Sequence, residues 1–219
     1  PERNPQAVGQ LMGSLLLSGL AMTLAGTSAP SSGGEHLISH YLDMTHYAFG
    51  EPSDLHGCQV GVATLTTAAL YEKLLAFDPT TIDSETRVEK HLSWPQYQSL
   101  LEERFTSLAE AVLPHAKETY PTANELRQRL AYLKENWQEI IPQIAVPLTT
   151  PAQIRAQLNA ALAPTTFAAL GVAAPRARHA IAHSKDIRAR YTILHLLAEL
   201  GLLEEWSEEV LCKQQLLGA

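Results

Sequence analysis

Apolar residues recur in this chain with the helical period almost everywhere and with the two-residue period of a strand almost nowhere. Leu100, Leu101, Phe105, Leu108 and Val112 line one side of a helix, and Glu102, Glu103 and Arg104 take the wet side. Ser93, Thr122 and Thr150 each stand three residues before a Gln or Glu, the signature of a capping box. Pro151 occupies a first helical position, where its missing N–H leaves nothing unpaired. The nearest strand candidate, Gln59 to Leu65, continues helically through Phe77. Prolines at 79, 95, 114, 121, 142, 147, 164 and 175 divide the rest into helices of ordinary length. The expectation is an all-α fold, one domain of eight to nine helices over roughly 7–26, 34–48, 58–77, 93–113, 122–140, 150–162, 175–183, 184–200 and 204–216. Residues 78–92 are the longest irregular stretch and read as a surface loop, and no repeat or linker marks a second domain.

A chain of 219 residues, 46% apolar, can bury a core without disulfides. Cys58 and Cys212 form no CxxC pair and read as reduced thiols of a cytoplasmic protein. The net charge of −7 supplies no basic stripe, which argues against nucleic acid and acidic membrane as partners. The segment Ala7–Ala25, preceded by Arg3, is nearly long and apolar enough to span a bilayer. Gln10, Ser14, Ser18 and Thr23 interrupt it, and its small residues Gly13, Ser14, Ser18 and Gly19 suit close packing. It is expected to be a buried core helix rather than a membrane or signal segment.

Four of the nine histidines, His36, His40, His46 and His56, fall between positions 36 and 56. His36 and His40 are four residues apart on an expected helix and therefore project from one face. His56 lies at the mouth of the next helix. Together His36, His40 and His56 could ligate a divalent ion, although H-x3-H without an intervening HExxH glutamate excludes that protease pattern. His46, His91, His115, His179 and His195 read as hydrogen-bonded structural residues. The loop before His36, with Ser31, Ser32, Gly33 and Gly34, is either a connector or an anion site built of bare amides at a helix N-terminus. No βαβ unit and no GxGxxG turn is present, so the chain by itself shows no nucleotide site.

The string Gly26-Thr-Ser-Ala-Pro-Ser-Ser-Gly-Gly-Glu-His-Leu-Ile-Ser-His-Tyr-Leu-Asp43, followed by Leu55-His-Gly-Cys-Gln-Val-Gly-Val-Ala63, closely resembles the sn-glycerol-1-phosphate dehydrogenase family. That family belongs with dehydroquinate synthase, glycerol dehydrogenase and the iron-containing alcohol dehydrogenases. The stretch from Ile187 to Leu203 is also similar to the family's C-terminal helices. The resemblance implies an NAD- or NADP-dependent, divalent-metal-dependent enzyme that interconverts dihydroxyacetone phosphate and sn-glycerol 1-phosphate. It implies that residues 1–219 are the C-terminal helical, metal-binding domain, with the nucleotide bound mainly by an N-terminal domain absent from this chain.

By the same resemblance, His36 and His56 are metal ligands, the ion being zinc or nickel. His40 contacts the substrate and relays a proton. An aspartate of the absent domain completes the ligand set. The chain departs from the pattern at Ala29, where many relatives carry an arginine before the proline, and this puts its hold on phosphate in question. The expected partner is a small phosphorylated substrate, with no nucleic acid and no membrane insertion; a homodimer is allowed, and the compartment is the cytoplasm. The alternatives are a glycerol dehydrogenase or dehydroquinate-synthase-like enzyme on the same scaffold, or a non-catalytic helical interaction domain. Alone, the chain is expected to have no dehydrogenase activity.

Overall fold

A computed structural model of the chain describes residues 4–218; Arg3, the basic flank of the apolar segment, lies outside them. Among the described residues there are eleven α-helices and no strand, so the fold is all-α as the apolar period requires. The centre of the molecule is the pair α2 (Gly34–Phe49) and α3 (His56–Leu75). Leu37, Ile38 and Leu42 of α2 meet Val62, Leu65 and Leu70 of α3 with no solvent exposure. Gly34 begins α2 at a point of close approach. A Cβ there would stand 3.3 Å from the methyls of both Thr67 and Ile193, so any side chain would make these neighbours give way by a few tenths of an ångström.

Around this pair stand α9 (Ala174–His183), α10 (Ile193–Leu200) and α11 (Leu203–Lys213), with a 3-10 turn, Ser184–Ile187, wedged between α2 and α6 (Ala109–Thr119). Ile181, Leu194 and Leu211 complete the apolar interior from that side. The outer layer is α4 (Ser84–Glu89), α5 (Trp94–Phe105), α7 (Ala123–Ala145) and α8 (Pro151–Ala160). All three expected capping boxes form. In the Thr122 box, Thr122 N–H donates to Glu125 Oε2 at 2.7 Å while Glu125 N–H donates to Thr122 Oγ1 at 3.3 Å.

Several boundaries differ from the sequence reading. The expected helix 93–113 breaks at Thr106, which takes a left-handed φ of 47°, and Pro114 lies inside α6 instead of ending it. The expected loop 78–92 contains the short helix α4, capped by Asp83 whose side chain accepts from Thr86 N–H. The expected helix 184–200 is a 3-10 turn, an irregular link at 188–192 that bends at Arg188 and Ala189, and α10.

The larger correction concerns α1 (Pro5–Ala25). It forms where expected, capped by Asn4 and ended by Gly26 with φ of 65°, but none of its residues is buried. Its sustained neighbour is the 3-10 turn Ala29–Ser31, reached through the Ser18–Ser31 hydroxyl pair at 2.6 Å. Leu15, Leu16, Leu17 and Leu24 stand 57%, 70%, 68% and 80% exposed. Apolar residues all round a helix call for burial on every side, and the chain's other helices do not supply it. By length and composition α1 is also a candidate membrane span, with mean hydropathy 1.5. Core helices and leader segments near an N-terminus share that property.

Two predictions follow from the burial pattern. Removing residues 1–26 should shift the thermal midpoint by less than about 2 °C, because none of the described residues removed is buried, whereas Leu65→Ala should cost about 2–5 kcal/mol; a scanning calorimeter compares the two. Stability should also fall between pH 6.5 and about 4. Burial holds His195 at about 4 and His183 at about 3, so the unfolded chain takes up protons first as pH drops. Two groups depressed in the folded state therefore favour unfolding below pH 6.5, by roughly 1–2 kcal/mol at pH 5 for the deeply buried His195. Urea denaturation at pH 7 and pH 5, with His195→Gln as the variant that flattens the dependence, measures this.

Candidate metal and substrate site

The loop that follows α1 enters α2 through Gly33, and the first two turns of α2 carry Glu35, His36, Ser39 and His40. The chain leaves α2 at Gly50, in the left-handed region with φ of 68°, and returns so that His56 opens α3 beside them. The three imidazoles form a triangle. Ring centroids lie 6.1 Å apart for His36 and His40, 5.5 Å for His36 and His56, and 5.3 Å for His40 and His56. The sequence spacing anticipated this convergence; His46 stays out of it, its Nδ1 directed at the carbonyl of Glu51 at the end of α2.

Each outer histidine has one ring nitrogen tied to a carboxylate. His36 Nδ1 lies 3.0 Å from Glu35 Oε1, which also accepts the Gly33 N–H at 2.7 Å. His56 Nδ1 lies 3.2 Å from Asp43 Oδ2 and 3.0 Å from Ser39 Oγ. An ionised carboxylate only accepts, so Nδ1 is the donor in both rings, and Nε2 is the nitrogen left for another partner. Ser39 is fully buried and donates to Gln59 Oε1 at 3.0 Å, while Gln59 Nε2 donates to Asp43 Oδ1 at 3.0 Å. Ser39, Asp43, Gln59 and His56 thus make one network across the α2–α3 contact. Glu35, Ser39, Asp43 and Gln59 were not singled out from the sequence; an acid adjacent to His36 and an acid one turn after His40 were the available signals.

His40 differs from its neighbours. Burial, and the charges of His56, Arg188 and His36, hold its pKa below the ordinary imidazole value, against the opposing pull of Asp43. It is therefore neutral at pH 7. Potential ligand atoms of His40, Asp43 and His56 lie within 4.8 Å of one another. Both Asp43 oxygens are already engaged, however, by Gln59 and by His56. Asp43 thus orients the ring of His56 through Oδ2 while Gln59 holds its Oδ1.

The anion-binding reading of the loop does not hold for most of its amides. Ser31 N–H donates to the Ser28 carbonyl at 3.1 Å, Ser32 N–H to the Ala29 carbonyl at 3.3 Å, and Gly33 N–H to Glu35. With three amides spent and a carboxylate at the helix N-terminus, the dipole there is already answered. The loop is held from the other end of the chain: Arg190 donates to the Ser32 carbonyl and to Ser28 Oγ, each at 2.7 Å.

Other expected structural histidines have such roles. His91 Nε2 pairs with the Pro121 carbonyl at 2.7 Å and stacks on Tyr120, and His195 Nδ1 accepts the Thr192 N–H at 3.1 Å. A separate cleft of about 370 Å³, lined among others by Tyr97, Arg104, His183 and Asp186, touches none of the three clustered histidines.

No family model matches the chain. Curated relatives do. A protein of Geobacillus stearothermophilus named glycerol-1-phosphate dehydrogenase, with the qualifier NAD(P)+, is 30% identical over 203 residues, covering 91% of this chain and 40% of the relative. A protein of the same name from Geobacillus thermodenitrificans is 27% identical over 202 residues, covering 92% of this chain and 41% of that one. Another from Halalkalibacterium halodurans is 45% identical over 69 residues, 32% of this chain and 17% of its own length. The chain spans about two-fifths of the length of the relatives it matches nearly throughout. Along nine-tenths of its length, the chain is a homologue of proteins named glycerol-1-phosphate dehydrogenase.

Proposed function

We propose that this chain is the helical, metal-holding part of an NAD(P)-dependent glycerol-1-phosphate dehydrogenase, in which His36 and His56 ligate a divalent ion and His40 faces the substrate. The observation that carries the reading is the pair of imidazoles, each with Nδ1 anchored on a carboxylate and Nε2 left as a donor. Carboxylate–histidine pairs of this kind fix the tautomer and raise the basicity of a ligand. Two imidazoles bound to one ion at about 2.1 Å hold their ring centres roughly 5–6 Å apart, and His36 and His56 stand at 5.5 Å. The donor set fits zinc or nickel without choosing between them.

Bound there, the ion supplies Lewis-acid polarisation of a ketone oxygen. The chain's own residues do the rest. Glu35 and Asp43 keep the two ligand rings turned inward. His40, neutral and partly desolvated, offers a ring N–H to the substrate oxygen that gains a proton on reduction and takes the proton back in the reverse direction. The hydride belongs to the nicotinamide, which in this reading is bound by residues outside this chain, as is the third protein ligand. The substrate is glycerol 1-phosphate by the names of the relatives, and oxidation of its secondary alcohol makes dihydroxyacetone phosphate the other member of the pair in this proposal. The net charge of −7 argues against nucleic acid as a partner.

Zinc titration of the purified chain against a chromophoric chelator tests the ligand assignment. His36→Ala and His56→Ala should each weaken zinc by at least about tenfold, and Asp43→Asn by roughly 10–100-fold. His40→Ala should leave zinc affinity within about threefold of the parent; loss of binding in that variant would make His40 a third ligand and overturn the role given to it. The chain alone should show no NADH-dependent reduction of dihydroxyacetone phosphate, and turnover above the uncatalysed rate would refute the proposed division of labour.

A further inference from the structure

A phosphorylated substrate needs a positive partner, and two candidates in the sequence do not provide it. The loop amides before α2 are spent on their own turn and on Glu35, and position 29 is alanine. The described arginines are mostly engaged. Arg127, Arg129 and Arg178 pair with Glu85, Glu199 and Glu208, while Arg87, Arg155, Arg176 and Arg190 hold backbone carbonyls. Arg104 faces the separate cleft beside Tyr97 and His183.

Arg188 remains. It follows the 3-10 turn Ser184–Ile187, which packs against α2, and takes an extended backbone with φ of −147° and ψ of 144°. Two residues on, Arg190 staples the segment to Ser28 and Ser32, immediately before the helix that carries His36 and His40. The Arg188 side chain is exposed, has no carboxylate partner among the described residues, and makes one long hydrogen bond, 3.3 Å to the carbonyl of Ile187.

We propose that Arg188 is a specificity-determining contact that binds the phosphate of the substrate beside the imidazole triangle. The inference rests on the dehydrogenase reading and deepens it by naming where the phosphate goes. A guanidinium presents paired N–H donors that match phosphate oxygens, and a phosphate monoester held there places its carbon chain toward His40. Arg190, fully committed to the loop, acts as the splint that keeps Arg188 at the site.

The test uses the chain without metal, inorganic phosphate as the probe, and the imidazole resonances of the histidines as the readout. In the parent chain, phosphate should move the His40 ring signals with a dissociation constant on the order of millimolar. Arg188→Ala should weaken this by about fivefold or more, and Arg188→Lys by less than about threefold, since the charge is kept and the fork is lost. Arg178→Ala, which breaks a distant pair with Glu208, should change nothing. Far-ultraviolet circular dichroism checks that all variants share one fold. Unaltered phosphate binding in Arg188→Ala, or a His40 signal unmoved by phosphate in the parent, overturns the proposal. Zinc titration in phosphate-free buffer separates the two levels: zinc weakened by His36→Ala and His56→Ala with phosphate indifferent to Arg188 sinks this inference alone, and zinc held equally by the parent chain and both histidine variants sinks the dehydrogenase reading beneath it.

Discussion

A hydroxyl with no solvent exposure, Ser39 Oγ, is where the fold and the site become the same thing. It gives its proton to Gln59 and stands beside His56 Nδ1, both on α3, so α2 cannot rotate or slide against α3 without leaving a buried polar group unpaired. Stranding such a group costs about 1–3 kcal/mol, more than the net gain of a typical hydrogen bond. The apolar contacts of Leu37, Leu42, Val62 and Leu65 hold the two helices together, but they are non-directional and would tolerate several registers. The Ser39–Gln59–Asp43–His56 network selects one. In that register the three imidazoles converge.

The same economy governs the approach to the site. Gly34 lets α2 begin against Thr67 and Ile193, and Glu35, the next residue, closes both the loop amide of Gly33 and the ring of His36. One carboxylate oxygen thus joins backbone geometry to ligand orientation. The C-terminal third of the chain contributes from the opposite direction, since Arg190 reaches back across 158 positions to the Ser32 carbonyl. Residues from both ends of the sequence therefore fix a site whose imidazoles occupy only positions 36–56.

Much of this was readable from the residues. Helical period, capping boxes and the i, i+4 pair His36/His40 are local, and local patterns survive folding. What escaped the sequence was of two kinds. Small departures in backbone, such as the turn at Thr106 and the irregular link 188–192, are set by packing against distant helices. The supporting polar residues Ser39, Asp43 and Gln59 look like ordinary surface chemistry until tertiary contact joins them. The loop before α2 stays open between connector and anion site in the sequence, because the sequence does not reveal that a neighbouring glutamate turns back to one of its amides. The burial expected of α1 failed for a different reason. A pattern can state that a helix is apolar on every side without stating that the rest of the chain has anything to cover it.

That helix has a kinetic consequence. A helix of 21 residues with no buried side chain is held by little beyond its own hydrogen bonds and a serine pair, and it lacks the tertiary packing from which most helical stability in proteins comes. Its amides open locally, whereas those of α2 and α3 are released only when the core as a whole comes apart. The protein therefore carries two clocks. Deuterium enters α1 on the time scale of helix fraying and enters the histidine-bearing pair on that of global unfolding, and the boundary between the two regimes falls at the loop gripped by Arg190.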